Sequence, residues 1–267
     1  MIIEKTALIT GASGGIGRAL ARRLAESIPT GGRLLLHGNA NRDSLHALVD
    51  ELAAQYPESQ FHALFADLSQ TSGQDRLIAE ASAICPAPDI LVMAAGLDLM
   101  TAAMKALPFE ERFARLWQVD VAGTMRIARC FGNRLQQTRH DRSSIGNRAA
   151  PLPGAIVLFG WDGVEYGMAG ETAQLYAAAK GAVQGFSRSL ARSLAPDVRV
   201  NCVAPGWIKT TWGETASPAI NELVTAESSA QRWGTPQEVA ELVCFLVSDA
   251  AAYINNQTIF VNGGKIY

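Results

Sequence analysis

Charge is scarce in this chain and nearly balanced: 23 lysines and arginines face 25 aspartates and glutamates, for a formal net charge of −2. Such a surface has no basic field with which to hold nucleic acid or an anionic membrane, so neither is expected as a partner. Cysteine is scarce as well. Cys85, Cys130, Cys202 and Cys244 are far apart, with no Cys-x-x-Cys pair and no histidine at ligand spacing. That excludes a disulfide framework and a bound metal from the expectations and points to reduced thiols in a cytoplasmic protein. No apolar run approaches the ~20 residues that a membrane-spanning helix needs. Met1–Lys5 lead straight into an apolar strand pattern, so no signal peptide is expected.

What is abundant is apolar side chain: 48% of the 267 residues, which suits one large, well-packed α/β domain. Strand-like runs alternate with helix-like segments throughout. Thr6–Thr10, Arg33–His37, Phe61–Phe65, Asp89–Met93, Ala155–Phe159, Arg199–Val203 and Thr258–Val261 read as strands. Ile16–Glu26, Ser44–Gln55, Phe109 to about Gln136, Leu175–Leu194 and Pro236–Val247 read as helices. Strands apolar on both faces and separated by helices predict a doubly wound parallel sheet of Rossmann type, covered on both sides, within a single domain 1–267. Two stretches read as irregular. Thr138–Gly154 is polar and turn-rich, the pattern of a surface loop, and residues 207–233 read as a loop over the substrate.

Two motifs carry the chemistry. Thr10-Gly11-Ala12-Ser13-Gly14-Gly15-Ile16-Gly17 follows the first strand and opens the first helix. A glycine turn there lets backbone approach a pyrophosphate while the helix N-terminus offers free N–H groups and a positive dipole end. Far downstream, Tyr176-Ala177-Ala178-Ala179-Lys180 puts a phenol and an ammonium one helical turn apart on one face.

These motifs, in this order, resemble the short-chain dehydrogenase/reductase family, nearest to β-ketoacyl-carrier-protein reductases. The resemblance covers essentially the whole chain. It implies cofactor contacts from Gly11, Ser13, Gly15, Ile16 and Gly17, from Asp67 and Leu68 beside the adenine, and from Ala94-Ala95-Gly96 after the fourth strand. Pro205, Gly206, Ile208 and Thr210 follow the strand Arg199–Val203, with the Ile208 backbone expected against the nicotinamide carboxamide and Thr210 near the phosphates. Tyr176 is then the proton donor, and Lys180 holds the nicotinamide ribose and lowers the phenol pKa. The family is usually tetrameric, so a homotetramer or homodimer is expected. After the second strand the chain reads His37-Gly38-Asn39-Ala40-Asn41-Arg42, with no acid before Asp43. An acid there would repel a 2′-phosphate, so NADP(H) is expected over NAD(H), with Arg42 and Asn39 as its contacts.

The catalytic side departs from the pattern. Where the family carries a serine, the chain reads Gly160-Trp161-Asp162, and no serine or threonine lies between Gly154 and Glu171. The asparagine of the preceding helix is replaced by Asp120, and Met93 and Ala94 stand where asparagines are usual. An ionised carboxylate only accepts hydrogen bonds, so Asp162 could replace the serine only if protonated. Asp120 and Asp162 could raise each other's pKa, or Lys180 could pair with Asp120 and leave both charged. Asp162 could equally serve only to cap its turn. Trp161, Tyr166, Met168, Trp207 and Trp212 are candidates for the walls of an apolar substrate site. The leading expectation is carbonyl–alcohol interconversion on a small-molecule or acyl-thioester substrate such as a 3-oxoacyl thioester. A cofactor-binding scaffold, or a dehydratase or isomerase using Asp162 or Asp120 as base, is the alternative.

Overall fold

The computed structural model describes residues 5–28, 30–144 and 153–265. Seven parallel strands form one sheet: β1 (Thr6–Thr10), β2 (Arg33–Gly38), β3 (Gln60–Phe65), β4 (Ile90–Met93), β5 (Gly154–Phe159), β6 (Val198–Pro205) and β7 (Thr258–Val261). Their order across the sheet is β3-β2-β1-β4-β5-β6-β7. The order reverses at β1, where Leu8 pairs with Leu35 on one side and Leu91 on the other. A crevice opens beyond the carboxyl ends of the strands at such a switch point.

The intervening helices are α1 (Gly15–Ser27), α2 (Arg42–Gln55), α3 (Thr71–Ile84), α4 (Ala102–Lys105), α5 (Phe109–Leu116), α6 (Thr124–Ser144), α7 (Gly163–Tyr166), α8 (Glu171–Leu194), α9 (Thr211–Glu214), α10 (Pro218–Glu227) and α11 (Pro236–Val247). Strand alternation divides the core between the two faces of the sheet. Ala7, Ile9, Leu34, Leu36, Val92 and Val157 point to the side covered by α1, α2 and α11. Leu8, Leu35, Leu91, Ile156 and Leu158 point to the side that holds Leu77 of α3, Phe131 of α6 and Val183 of α8. Phe131 is fully buried there; truncating such a side chain to alanine costs about 3–5 kcal/mol.

Three expectations need correction. Phe109 onward is not one uniform helix: α5 and α6 are joined by a π-helical turn, Trp117–Gly123, that contains Asp120. Residues 138–144, expected as loop, continue α6 to Ser144, while residues 145–152 of that stretch lie outside the described residues. The region 207–233 holds helices α9 and α10 rather than loop alone. Helix α3 escapes a reading by periodicity because its buried face is thin and mixed: Gly73, Gln74, Leu77 and Ala81. By contrast α11 begins where its signal says, with Thr235 and Glu238 closing a capping box around Pro236.

Candidate active site

The turn between β1 and α1 is built of backbone. Gly11 has φ +71, and a Cβ on it would lie 2.7 Å from Ala95 Cα. A Cβ on Gly17 would lie 2.1 Å from the Gly11 carbonyl oxygen. These two glycines let α1 pack onto the turn and the turn onto the Ala94–Gly96 segment after β4. Thr10 Oγ1 accepts the Ala95 N–H at 3.1 Å and secures that contact. At the mouth, a Cβ on Gly15 would come within 3.1 Å of Thr210 Cγ2, so glycine keeps a narrow gap between α1 and the Thr210 segment. Helix α1 starts at an N-cap, Gly14, with no side-chain cap and no acid in its first turn. Its free N–H groups and positive end therefore fit a pyrophosphate.

Behind the turn, His37 is buried with its Nε2 3.0 Å from the Ala66 carbonyl and its Nδ1 accepting the Gly11 N–H at 3.4 Å. The carbonyl requires the proton on Nε2, so the ring is a neutral strut between β1, β2 and the end of β3. Burial lowers its pKa to about 4, against a smaller raising effect of the Ala66 hydrogen bond. Where the 2′-phosphate question is decided, Arg42 lies over the Phe65 ring at 4.4 Å. Asn41 is the N-cap of α2, its side chain accepting the Ser44 N–H, and Asn39 is exposed. Asp67 Oδ1 accepts the Ser69 N–H at 2.9 Å, and Leu68 is buried. Arg18, which the sequence reading passed over, reaches from α1 to the Ser44 carbonyl and hydroxyl, bringing a second cation to the same corner. Its signal was its place one turn into the helix opened by the glycine motif.

On the opposite side of β4, the Tyr176 and Lys180 side chains of α8 meet residues from three other elements. The Tyr176 hydroxyl donates to the Leu97 carbonyl at 2.7 Å. The Leu97 N–H in turn donates to Asp120 Oδ1 at 2.8 Å. Asp120 Oδ2 lies 2.7 Å from Lys180 Nζ, with the two side chains 1% and 11% exposed. A Cβ on Gly96 would stand 3.2 Å from Asp120 Oδ2, so Gly96 leaves the carboxylate room. Of the arrangements open to the two aspartates, the geometry contains the Lys180–Asp120 ion pair. Against the expectation of a lowered phenol pKa, burial first, then the charges of Asp120 and Asp98, hold Tyr176 above the ordinary phenol range.

At Gly160-Trp161-Asp162, where a serine is expected, the three neighbours differ in what they can hold. A Cβ on Gly160 would lie 2.8 Å from Gln184 Nε2 and 3.0 Å from Cys202 Sγ, so no side chain fits there without displacement. Asp162 turns away: it is buried, accepts from Asn262 Nδ2 at 3.4 Å, and its pKa is raised by burial against the lowering charge of Lys265. Trp161 faces the phenol, its ring tilted against Tyr176 with centroids 6.2 Å apart. Gly163 makes this possible, since a Cβ there would lie 2.5 Å from the indole.

A cleft of about 750 Å³ joins the two sides. Ile16, Ala94, Ala95, Gly96, Pro205, Gly206, Ile208 and Thr210 line its cofactor end. Tyr176, Lys180, Trp161, Met168, Trp207 and Ile220 line the other, with Lys105 and Arg112 as further cations. Arg112 is buried and paired with Glu171 at 2.5 Å, a cleft pair that spacing alone did not reveal. Asp162 does not line this cleft, and nor does Tyr166, which is 56% exposed. The Trp212 side chain lies outside the described residues. Trp207 and Trp233 pack edge to face at 5.8 Å, and Trp207 Nε1 donates to Glu227 at 3.0 Å, which pins α10 over the opening. Among the described residues, no helix is long and apolar enough to cross a membrane.

The chain has relatives that match it over nearly its whole length. Residues 11–265 match the family model described as Enoyl-(Acyl carrier protein) reductase. The chain is 36% identical over 266 residues to the oxidoreductase YmfI of Bacillus subtilis, covering 98% of this chain and 99% of that one. It is 32% identical over 263 residues to the 3-oxoacyl-[acyl-carrier-protein] reductase FabG of Escherichia coli K12, covering 97% and 96%. Among solved structures, a 3-oxoacyl (acyl-carrier-protein) reductase of Agrobacterium tumefaciens C58 with NADP bound superposes with a TM-score of 0.81 at 28% identity, over 98% of this chain and 95% of that one. With its seven-stranded parallel sheet, glycine turn and Tyr–Lys helix, the chain belongs to the short-chain dehydrogenase/reductase family and is an NAD(P)-dependent oxidoreductase.

Proposed function

We propose that this enzyme uses NADP(H) to reduce the carbonyl of an apolar substrate, of the 3-oxoacyl thioester class or a bulkier ketone, with Tyr176 as the proton donor. The observation that carries the reading is a single cleft with an uncapped helix N-terminus at one end and the Tyr176 hydroxyl and Lys180 at the other. When bound, the nicotinamide supplies hydride to the substrate carbon; the chain's own residues do the rest. The first turn of α1 binds the pyrophosphate, and Ala94–Gly96 and Ile208 flank the ribose and nicotinamide. Tyr176 gives its proton to the carbonyl oxygen as negative charge develops there. Trp161 contributes an apolar wall and excludes water, where a serine would have contributed a hydroxyl. Arg42 and Arg18 favour a 2′-phosphate at a corner with no acid between Gly38 and Arg42. A solved 3-oxoacyl (acyl-carrier-protein) reductase similar to this chain holds NADP, which supports a nicotinamide cofactor in this cleft.

Asp162 in this reading is a strut toward Asn262, not a base, and Asp120 is held by Lys180; a dehydratase or isomerase built on either carboxylate has no support in the geometry. A homotetramer or homodimer accompanies the proposal, with exposed Phe109 and Trp117 on the helical stretch around Asp120 as its contact surface. Tryptophan-emission titrations with NADPH and NADH test the cofactor. Consumption of NADPH on adding acetoacetyl thioester or an aryl ketone tests the chemistry. Binding of neither nucleotide by the folded protein overturns the reading and leaves a scaffold. Binding without turnover on any carbonyl in the panel leaves the cofactor site but removes the reductase.

A further inference from the structure

Asp120, Lys180, Leu97 and Tyr176 form one closed set. Both polar groups of the Leu97 residue are engaged, its N–H by Asp120 at 2.8 Å and its carbonyl by Tyr176 at 2.7 Å. A carbonyl oxygen has no proton to give, so in this contact the phenol keeps its own. Burial first, and then the charges around it, keep that form at rest. Lys180 is the only cation on the Tyr176 face of α8 within one turn, and its ammonium is 2.7 Å from a carboxylate that is 1% exposed. Water does not screen such a pair, and the phenol sees ammonium and carboxylate together rather than a bare cation. From the segment after β4, Asp98 adds a second negative charge, its carboxylate accepting the Met100 N–H at 2.7 Å. From α4 and α5, Lys105 and the Arg112–Glu171 pair line the same cleft. Just after β5, the uncharged Trp161 ring faces the phenol.

We infer that Asp120 is a positioning residue: by pairing with Lys180 and holding the Leu97 peptide, it withholds the lysine's charge from Tyr176 and keeps the phenol in its protonated, donating form into alkaline pH. The inference rests on Tyr176 being the proton donor of the proposed reaction. It gives the exchange of asparagine for Asp120 a purpose, because an asparagine could hold the Leu97 N–H but could not neutralise Lys180. The π-helical turn Trp117–Gly123 is the local irregularity that carries Asp120 to this position. Reduction by this site then persists to higher pH than a bare Tyr–Lys pair allows.

The test is the near-ultraviolet absorbance of phenolate during a pH titration of the purified protein, with and without saturating NADP⁺. Subtracting the same titration of Tyr176→Phe isolates the Tyr176 step. Wild-type protein is expected to show no Tyr176 step below about pH 10. Asp120→Asn, similar in shape and still able to accept from Leu97, is expected to bring the step down by about one pH unit or more, a roughly tenfold gain in phenolate at fixed pH. Asp98→Asn, at an exposed position, is expected to move it the same way by less. A wild-type step well below pH 10, or an unmoved step in a folded Asp120→Asn, overturns the inference. If Asp120→Asn loses its cooperative thermal transition, the wild-type minus Tyr176→Phe titration still decides. Nucleotide binding measured on the same samples keeps the two readings apart: loss of binding sinks the proposed function, whereas an unmoved phenol step with intact binding sinks only the role of Asp120.

Discussion

The two ends of the cleft recognise by different means. At the cofactor end the backbone does the work: Gly11 and Gly17 have no room for a Cβ, and the α1 N-terminus presents its own N–H groups. At the substrate end side chains do it: Tyr176, Lys180 and Trp161 reach in from α8 and from just after β5, with Asp120 of the π-helical turn buried behind Lys180. A backbone site tolerates almost no change, because any added atom collides with the chain itself. A side-chain site can be rebuilt on an unchanged sheet, since the strands beneath it pair through their backbone whatever points into the cleft. The glycine turn and the Gly160-Trp161-Asp162 segment are thus what each construction permits.

That contrast can be broken at several points. Tyr176→Phe should have the largest effect, lowering NADPH-dependent turnover by about 10²–10⁴-fold while leaving nucleotide affinity within a few fold; turnover that survives in the steady-state assay would remove the phenol as donor. Trp161→Ser tests whether the substrate end can be rebuilt in reverse. A hydroxyl beside Tyr176 should raise kcat/KM for a short 3-oxoacyl thioester, with about 10²-fold as the ceiling set by one such donor, and should lower it for bulky ketones that need the indole wall. A loss on both substrate types would show that the tryptophan does more than fill space.

At the backbone end the pressure point is His37, whose pKa falls from about 6.5 free to about 4 when folded. The neutral ring is the folded form, so its contribution is complete above pH 6.5 and is lost as pH falls from there toward 4. The full loss is about 3 kcal/mol. Urea midpoints across that window should fall in the wild type and flatten in His37→Gln; equal slopes would remove the histidine from the acid response. The smallest effect belongs to Arg42→Ala, which should weaken NADPH by about tenfold, as a charge-assisted hydrogen bond of ~1.5 kcal/mol requires, and leave NADH nearly unchanged. Equal losses for both nucleotides would dissolve the 2′-phosphate assignment.

Much of this protein is determined by residues close to one another in the chain. Continuous apolar runs make the strands, and the pleat divides their side chains between two faces. Glycines make the turn at Gly11–Gly17, Thr235 and Glu238 start α11, and four-residue spacing aligns Tyr176 with Lys180. Each of these rests on local geometry, and the sequence by itself was enough. It was not enough for the serine position, because Gly160, Trp161 and Asp162 are equivalent until Gln184 and Cys202 close the space at one and Asn262 draws away another. Nor could it choose the partner of Asp120, pair Arg112 with Glu171, or bring Arg18 to Ser44. The contacts that decide the chemistry join residues 79 positions apart at Tyr176 and Leu97 and 100 apart at Asp162 and Asn262. Only the sheet and its packed helices bring such residues within hydrogen-bond distance, and so only the tertiary structure decides what Asp120, Trp161 and Asp162 do.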